Sequence, residues 1–250
     1  MLPGNMTQYQ AVTKAIDQLG GLATLAQLYR EVPKMPGCSW QTKTPQASIR
    51  RIAQLSKDLY KIKPGLYGLV AKRKEIEARG IFPETSANQG SEQVNQSNHT
   101  YYQGLLLLIG KYRKFDCWAP NQDRNKAFLA GTIDGVRSIT SLPQFSYPRL
   151  VKRCETVDAV WLNCRGMPNS LFEVEFSTDI QNSLLKFNDL QDFFAQMVIV
   201  ADSNRRAEFS AKLGYSAFND IRHRVKFLDF TSLVKRYELL VAQSETEVQL

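Results

Sequence analysis

Histidine is scarce in this chain: only His99 and His223 occur in 250 residues. The four cysteines (Cys38, Cys117, Cys154 and Cys164) contain no Cys-x-x-Cys spacing, so a zinc site is not expected. The same shortage of histidine argues against Ser-His or Cys-His nucleophilic catalysis, because His is the usual base near neutral pH. Reduced, mostly buried thiols are the simpler expectation. The longest apolar run is "GLLLLIG" (residues 104–110), far below the ~20 residues needed to span a bilayer. No basic-then-apolar N-terminal stretch reads as a secretory signal, and no internal repeat is present. A cytoplasmic protein without a membrane segment is expected.

Hydrophobic content of 43% and charged content of 22% suit a globular protein, and the net charge is +8. The distribution of that charge is informative. Residues 1–90 carry 13 Lys and Arg against 6 Asp and Glu, whereas the remainder carries 19 against 18. A polyanion is therefore the natural partner of the first third, although a basic surface kept for solubility would look alike.

Residues 84–98, "ETSANQGSEQVNQSN", lack apolar periodicity and read as a linker. They divide the chain into modules at 1–83 and 99–250, the last residues, "QSETEVQL", reading as a frayed tail. In the first module, Val12, Ile16 and Leu19 share a helical face that Gly20-Gly21 ends. Thr24 caps "LAQLYREV", and Pro45 opens "PQASIRRIAQLS", with Ile49, Ile52 and Leu55 as its inner stripe. "LYKIKPGLYGLV" alternates around a Pro-Gly turn, as a hairpin does.

That order resembles a winged helix-turn-helix, and "TPQASIRRIAQLS…LYKIKPGLYGLV" resembles the winged-helix modules found beside restriction-type nuclease domains. The resemblance implies a third helix in the DNA major groove and a wing on the backbone. Arg50 and Arg51 would then make base or phosphate contacts, and Lys43, Lys61 and Lys63 phosphate contacts, with Gln46 and Ser48 on the same outward face. A winged helix engaged in protein contacts is the alternative.

The second module alternates helices and extended segments: an apolar helix that begins at "HTYYQGLLLLIG" and ends at Gly110 or shortly after, strands at "FDCWAP" and "ETVDAVWL", weak extension around 131–140, and then "SLFEVEF". A long helix, "STDIQNSLLKFNDLQDFFAQ", the strand "MVIVA", a further helix, the strand "VKFLDF" and a terminal helix follow. On "LFEVEF", period 2 puts Phe172, Val174 and Phe176 on one face and Glu173 and Glu175 on the other, about 6.6–7 Å apart. If residues 155–162 pair with this strand as a hairpin, Asp158 comes beside Glu173. Converging carboxylates repel one another, and a hard divalent cation relieves the repulsion.

An Asp on one strand, then Glu-x-Glu on the next before a helix, resembles the PD-(D/E)xK nuclease superfamily. The resemblance implies an α/β (α+β) fold, a winged helix followed by a restriction-endonuclease-like mixed sheet flanked by helices. It further implies a Mg²⁺-dependent DNA endonuclease of restriction or defence type, with Mn²⁺ as a substitute. Asp158 and Glu173 would be metal ligands. Glu175, in the place where Lys is common, would be a general base or second-metal ligand. Gln181 and Lys186 on the following helix would support the site. The first helix, which carries an additional Glu in many relatives, offers only Leu in "GLLLLIG". Cutting both strands of a duplex implies a homodimer, and localisation with the nucleoid if the protein is prokaryotic. Alternatives are an inactive DNA-binding regulator or assembly factor, or a nuclease of a mobile-element or CRISPR-linked system acting on DNA or RNA.

Overall fold

A computed structural model describes residues 6–41 and 44–247, with side chains as far as residue 244. It is an α+β protein. Its residues group into two compact units: residues 1–97 with 129–131 and 234–250, and residues 98–128 with 132–233. No helix of the described residues is long and apolar enough to cross a membrane.

The first unit starts with α1 (Gln8–Gln18), β1 (Leu22–Thr24), α2 (Leu25–Glu31) and α3 (Gln46–Leu55), then β2 (Leu59–Lys63), β3 (Leu66–Leu69) and α4 (Arg73–Ala78). Thr7 with Gln10 and Thr24 with Gln27 form capping boxes on α1 and α2. Each box satisfies amide protons that the first turn leaves without helical partners. β1, β3 and β2 form an antiparallel sheet in that order. Gly65, at φ +72°, makes the turn of the β2–β3 hairpin, in the left-handed region that glycine enters freely. The core joins Val12, Ile16, Leu28, Ile49, Ile52 and Ala53. Leu55, expected inside, is exposed at the end of α3, and Ala53 takes its place in the stripe.

The expected linker is shorter than its composition suggests. Helix α5 runs over Glu92–Tyr112, so polar residues read as linker are helical, with Val94, Ser97 and Asn98 buried. The helix ends at Tyr112, shortly after Gly110 as expected, and Gly110 lies in its last turn. A Cβ there would collide with Cys117 and with Trp161, so the glycine permits close approach of helix to sheet.

After α5 come β4 (Asp116–Trp118), the short strands β5 (Ala127–Phe128) and β6 (Gly131–Thr132), and α6 (Pro148–Cys154), the last a helix the sequence reading lacked. Then follow β7 (Ala159–Leu162), β8 (Pro168–Glu175), α7 (Ile180–Asp189), β9 (Gln196–Ala201), α8 (Arg206–Leu213), β10 (Val225–Asp229) and α9 (Phe230–Glu247). The tail expected to fray is helical through residue 247. The main sheet has the order β10-β9-β8-β7-β4, parallel from β10 to β8 and antiparallel from β8 to β4. β8 and β9 are buried on both faces; β9 is accordingly near-continuously apolar, whereas β8 carries Ser170, Glu173 and Glu175 into the interior. α7 ends earlier than expected: Arg224 donates to the carbonyls of Gln191, Phe193 and Ala195 and holds that stretch as a loop.

Candidate active site

β7 and β8 pair antiparallel with Ala159 opposite Phe172. Continuing that register one residue places Asp158, just before β7, beside Glu173. The other face of β8 is fixed by aromatics, with Phe172 packed on Trp161 and Phe176 stacked on Tyr102 of α5. Glu173 and Glu175 thus point to the α7 side, and neither is on the surface: they are 2% and 4% exposed. Two carboxylates buried this deeply are costly unless donors surround them.

The donors come from α7. Asp179 caps this helix by accepting from the Gln181 amide, and Ile180, Leu184 and Phe187 bury its apolar face. On that same side Ser183 Oγ lies 2.9 Å from Glu173 Oε2 and also hydrogen-bonds Glu175 Oε1. Lys186 Nζ is 2.8 Å from Glu173 Oε2, 3.0 Å from Oε1 and 2.8 Å from the Thr156 carbonyl. Thr178 Oγ1 donates to the second oxygen of Glu175, and Arg205 Nη1 stands 4.0 Å away. Burial, followed by the negative charge of Asp158, pushes the Glu173 carboxyl well above its ordinary range against the pull of Lys186 and Ser183. Burial also raises Glu175, opposed by Ser183 and Thr178. A hydroxyl has one proton to give, so Ser183 beside both carboxyls fits a site in which one of them retains a proton.

Asp158 is shifted the other way. Burial raises its carboxyl, but the charge and hydrogen bond of His99, the Val174 amide and Lys186 together outweigh it, leaving the group below its ordinary range. His99 Nε2 lies 3.2 Å from Asp158 Oδ2, and the Val174 amide donates to the same oxygen at 2.8 Å. Gln103, one turn along α5, donates from Nε2 to the Asp158 carbonyl at 2.7 Å and to Asp123 Oδ2 at 2.8 Å. Burial lowers the His99 pKa, yet Asp158 more than compensates and the net shift is upward.

Of the expected site residues, Asp158, Glu173, Glu175 and Lys186 therefore come together. Gln181 does not join them: its Oε1 turns to Lys212 Nζ at 3.3 Å. The expected three-acid cage does not form as such; among the described residues no three His, Cys, Asp or Glu groups are gathered to hold a metal ion. As expected, the "GLLLLIG" run of the first helix of this module, α5, brings no acidic residue to the site. The contribution of α5, His99 and Gln103, lies N-terminal to the Leu run, where the spacing of four in "HTYYQ" marks one helical face. Ser183 was overlooked as well, and its spacing of three from Lys186 is the corresponding signal.

The residues expected to meet DNA lie in the first unit. Gln46 and Arg51 are exposed on α3, Ser48 is half-buried, and Lys61 is exposed on β2. Arg50 is about half exposed but engaged: its Nη2 is 2.7 Å from Glu238 Oε2 and its Nε donates to Tyr29 Oη at 2.8 Å. Lys63, expected on the surface of the hairpin, is buried instead and donates to the Phe82 carbonyl at 3.1 Å. Burial pulls its pKa down to about 7. Lys43 lies outside the described residues.

A mixed sheet with helices on its faces and an acidic cluster at one end of β8 is the framework of a restriction-endonuclease-like domain. Residues 81–249 match the model of the type II restriction enzyme NmeDI C-terminal domain, and the chain belongs to that family. Residues 1–80 lie outside the match. No curated protein and no solved structure matches the chain.

Proposed function

We propose that the protein is a Mg²⁺-dependent endonuclease of restriction type that hydrolyses phosphodiester bonds in duplex DNA, with the PD-(D/E)xK pattern in its Asp…Glu-x-Glu form. The observation that carries this reading is the meeting of Asp158, Glu173 and Lys186 at the start of β7, on β8 and on α7. Membership of a restriction-enzyme family supports it.

The donor set suits the cation. Mg²⁺ is commonly bound by one or two carboxylates together with water and substrate phosphate oxygens, so a complete protein cage is not required. Asp158 and Glu173 would hold it, and no hydrogen bond occupies Asp158 Oδ1 among the described residues. When bound, the ion would supply charge stabilisation at the phosphate and a more acidic attacking water.

The chain's own residues do the rest. Lys186, brought by the helix, puts an ammonium on the Glu173 carboxylate, as a strand lysine at position 175 would. Its charge also favours a developing negative charge on a nearby phosphate oxygen. Glu175 has both oxygens engaged by Ser183 and Thr178, and we assign it the role of orienting Ser183 rather than that of the general base. Arg205, bonded to the Phe176 and Thr178 carbonyls, fixes the turn between β8 and α7.

The first unit, with its helix–strand–helix–helix–hairpin order, is read as a winged helix that binds the duplex through α3 and the hairpin, using Arg51, Gln46, Ser48 and Lys61, with Arg50 once freed from Glu238. A homodimer would supply one active site per strand. The second reading is an inactive DNA-binding regulator, favoured by the internal partners that already neutralise Asp158 and Glu173. An RNA-directed or mobile-element nuclease would share the same chemistry. The test is incubation of the purified chain with DNA and RNA in Mg²⁺ or EDTA, beside Asp158→Ala and Glu173→Ala. Metal-dependent DNA cutting lost in both variants is expected. Cutting that survives them would overturn the site, and salt-sensitive DNA binding without cutting would favour the regulator.

A further inference from the structure

Asp158 lies in the bend between α6 and β7, one residue before the ladder begins, so strand pairing alone does not fix its side chain. Two residues of α5 do. His99 takes the carboxylate and Gln103 takes the backbone carbonyl of the same residue. Their spacing of four sets them one above the other on a single helical face. His99 and the Val174 amide both bond Oδ2, which turns Oδ1 away from them.

Behind this grip lies a buried polar path. Gln103 is fully buried and its amide nitrogen also reaches Asp123, which is paired with Lys126 at 2.6 Å. Gln103 Oε1 and His99 Nδ1 are buried without a hydrogen-bond partner. Turning the Gln103 amide over would set its oxygen against two acceptors, so the present orientation is the one its neighbours require. Buried polar groups carried at such cost, with two atoms unsatisfied, are a poor way merely to pack a helix against a sheet.

We infer that His99 and Gln103 are positioning residues for the endonuclease reaction: from α5 they aim Asp158 Oδ1 at the cation and phosphate. The inference rests on the reading of Asp158 as a metal-holding carboxylate. Residues that orient a ligating group are typically worth about 10–100-fold in metal affinity or activity.

The test uses the full chain with Mn²⁺ as the probe ion and a pool of random-sequence duplex DNA. Mn²⁺ affinity is read by electron paramagnetic resonance, DNA affinity by fluorescence anisotropy, and cutting by single-turnover rate. His99→Ala is expected to weaken Mn²⁺ binding and slow cutting, each by about 10–100-fold, with DNA affinity unchanged. His99→Gln, whose amide nitrogen reaches about as far as Nε2, is expected to restore most of both. If His99→Ala does not fold, His99→Asn, polar but too short to reach Asp158, takes its place with the same expected loss. Wild-type behaviour of His99→Ala or His99→Asn, or a His99→Gln variant no better than these, would overturn the positioning role alone. Asp158→Ala retaining Mn²⁺ affinity and cutting, or a wild-type chain with neither, would overturn the metal reading and this inference with it.

Discussion

Lys186 Nζ lies 2.8 Å from Glu173 Oε2, joining the last turn of α7 to a carboxylate on the interior of the sheet. The lysine is about one quarter exposed and the glutamate almost wholly buried, so the pair is reached from solvent only on its cationic side. Lys186→Met removes that charge while keeping most of the stem. Glu173 then has Ser183 as its remaining side-chain donor, and loss of the ammonium raises its carboxyl further. We expect the single-turnover cleavage rate to fall by at least ~10²-fold, with a stability loss of about 1–3 kcal/mol in urea unfolding. An unchanged rate would show that the helix lysine takes no part in the chemistry.

Ser183 serves two carboxyls with one hydroxyl. Ser183→Ala leaves both short of a donor where Ser183, Glu173 and Glu175 are all buried. Unfolding free energy should drop by about 1–3 kcal/mol. Ser183→Cys, nearly isosteric but a weak donor, should lose a similar amount. A loss confined to the alanine variant would point to packing rather than hydrogen bonding.

The buried acids also set a pH dependence with a definite sign. Glu173 and Glu175 are raised above 4.5, so the native state binds more protons there than the unfolded state. Their contribution to stability therefore declines as pH rises from about 4.5 through their folded values. Asp158, lowered from 3.8, contributes stability above that value and loses it in stronger acid. His99, raised from 6.5, contributes below that value and loses it as pH rises through its folded value. Replacing both glutamates with glutamine should flatten the decline above pH 4.5 in urea titrations at stepped pH. Parallel curves for variant and wild type would contradict the upward shifts.

Arg50 is held by Glu238 of α9 within the first unit. If α3 binds DNA, a phosphate must compete with that carboxylate. Glu238→Gln should tighten binding to duplex DNA by about fivefold, matching the ~1 kcal/mol of a half-exposed ion pair. Arg50→Ala with Arg51→Ala should weaken it and reduce the slope of log affinity against log salt by about 1–2. Fluorescence anisotropy across a salt series measures both. Equal affinities in all three proteins would remove α3 from recognition.

Much of the site was legible because strand geometry has a rigid period. Alternation along "LFEVEF" separated the glutamates from the phenylalanines, and an antiparallel partner carrying Asp158 could meet Glu173 only from that face. The leading edge of α5 was not legible. "EQVNQSN" has the composition of a linker, yet it is helical and buries Val94, Ser97 and Asn98. His99 and Gln103 fall just inside the expected helix, but nothing in their local sequence shows that their face approaches Asp158, far along the chain. Lys63 follows the same logic: a charged residue beside a turn is ordinarily solvated, but the chain returning through Phe82 accepts its hydrogen bond in the interior.

The sequence by itself determined the local structure: caps at Thr7 and Thr24, the glycine turn of the hairpin, apolar β9, and carboxylates two residues apart on one face of β8. These follow from interactions among near neighbours and from the fixed periods of helix and strand. The tertiary structure alone decided which groups neutralise the acids. Ser183 and Lys186 from α7, and His99 and Gln103 from α5, lie 8–59 residues from the acids they serve. Periodicity marks which face of each helix is buried, but which carboxylate that face meets depends on the packing of distant elements, which no local pattern records.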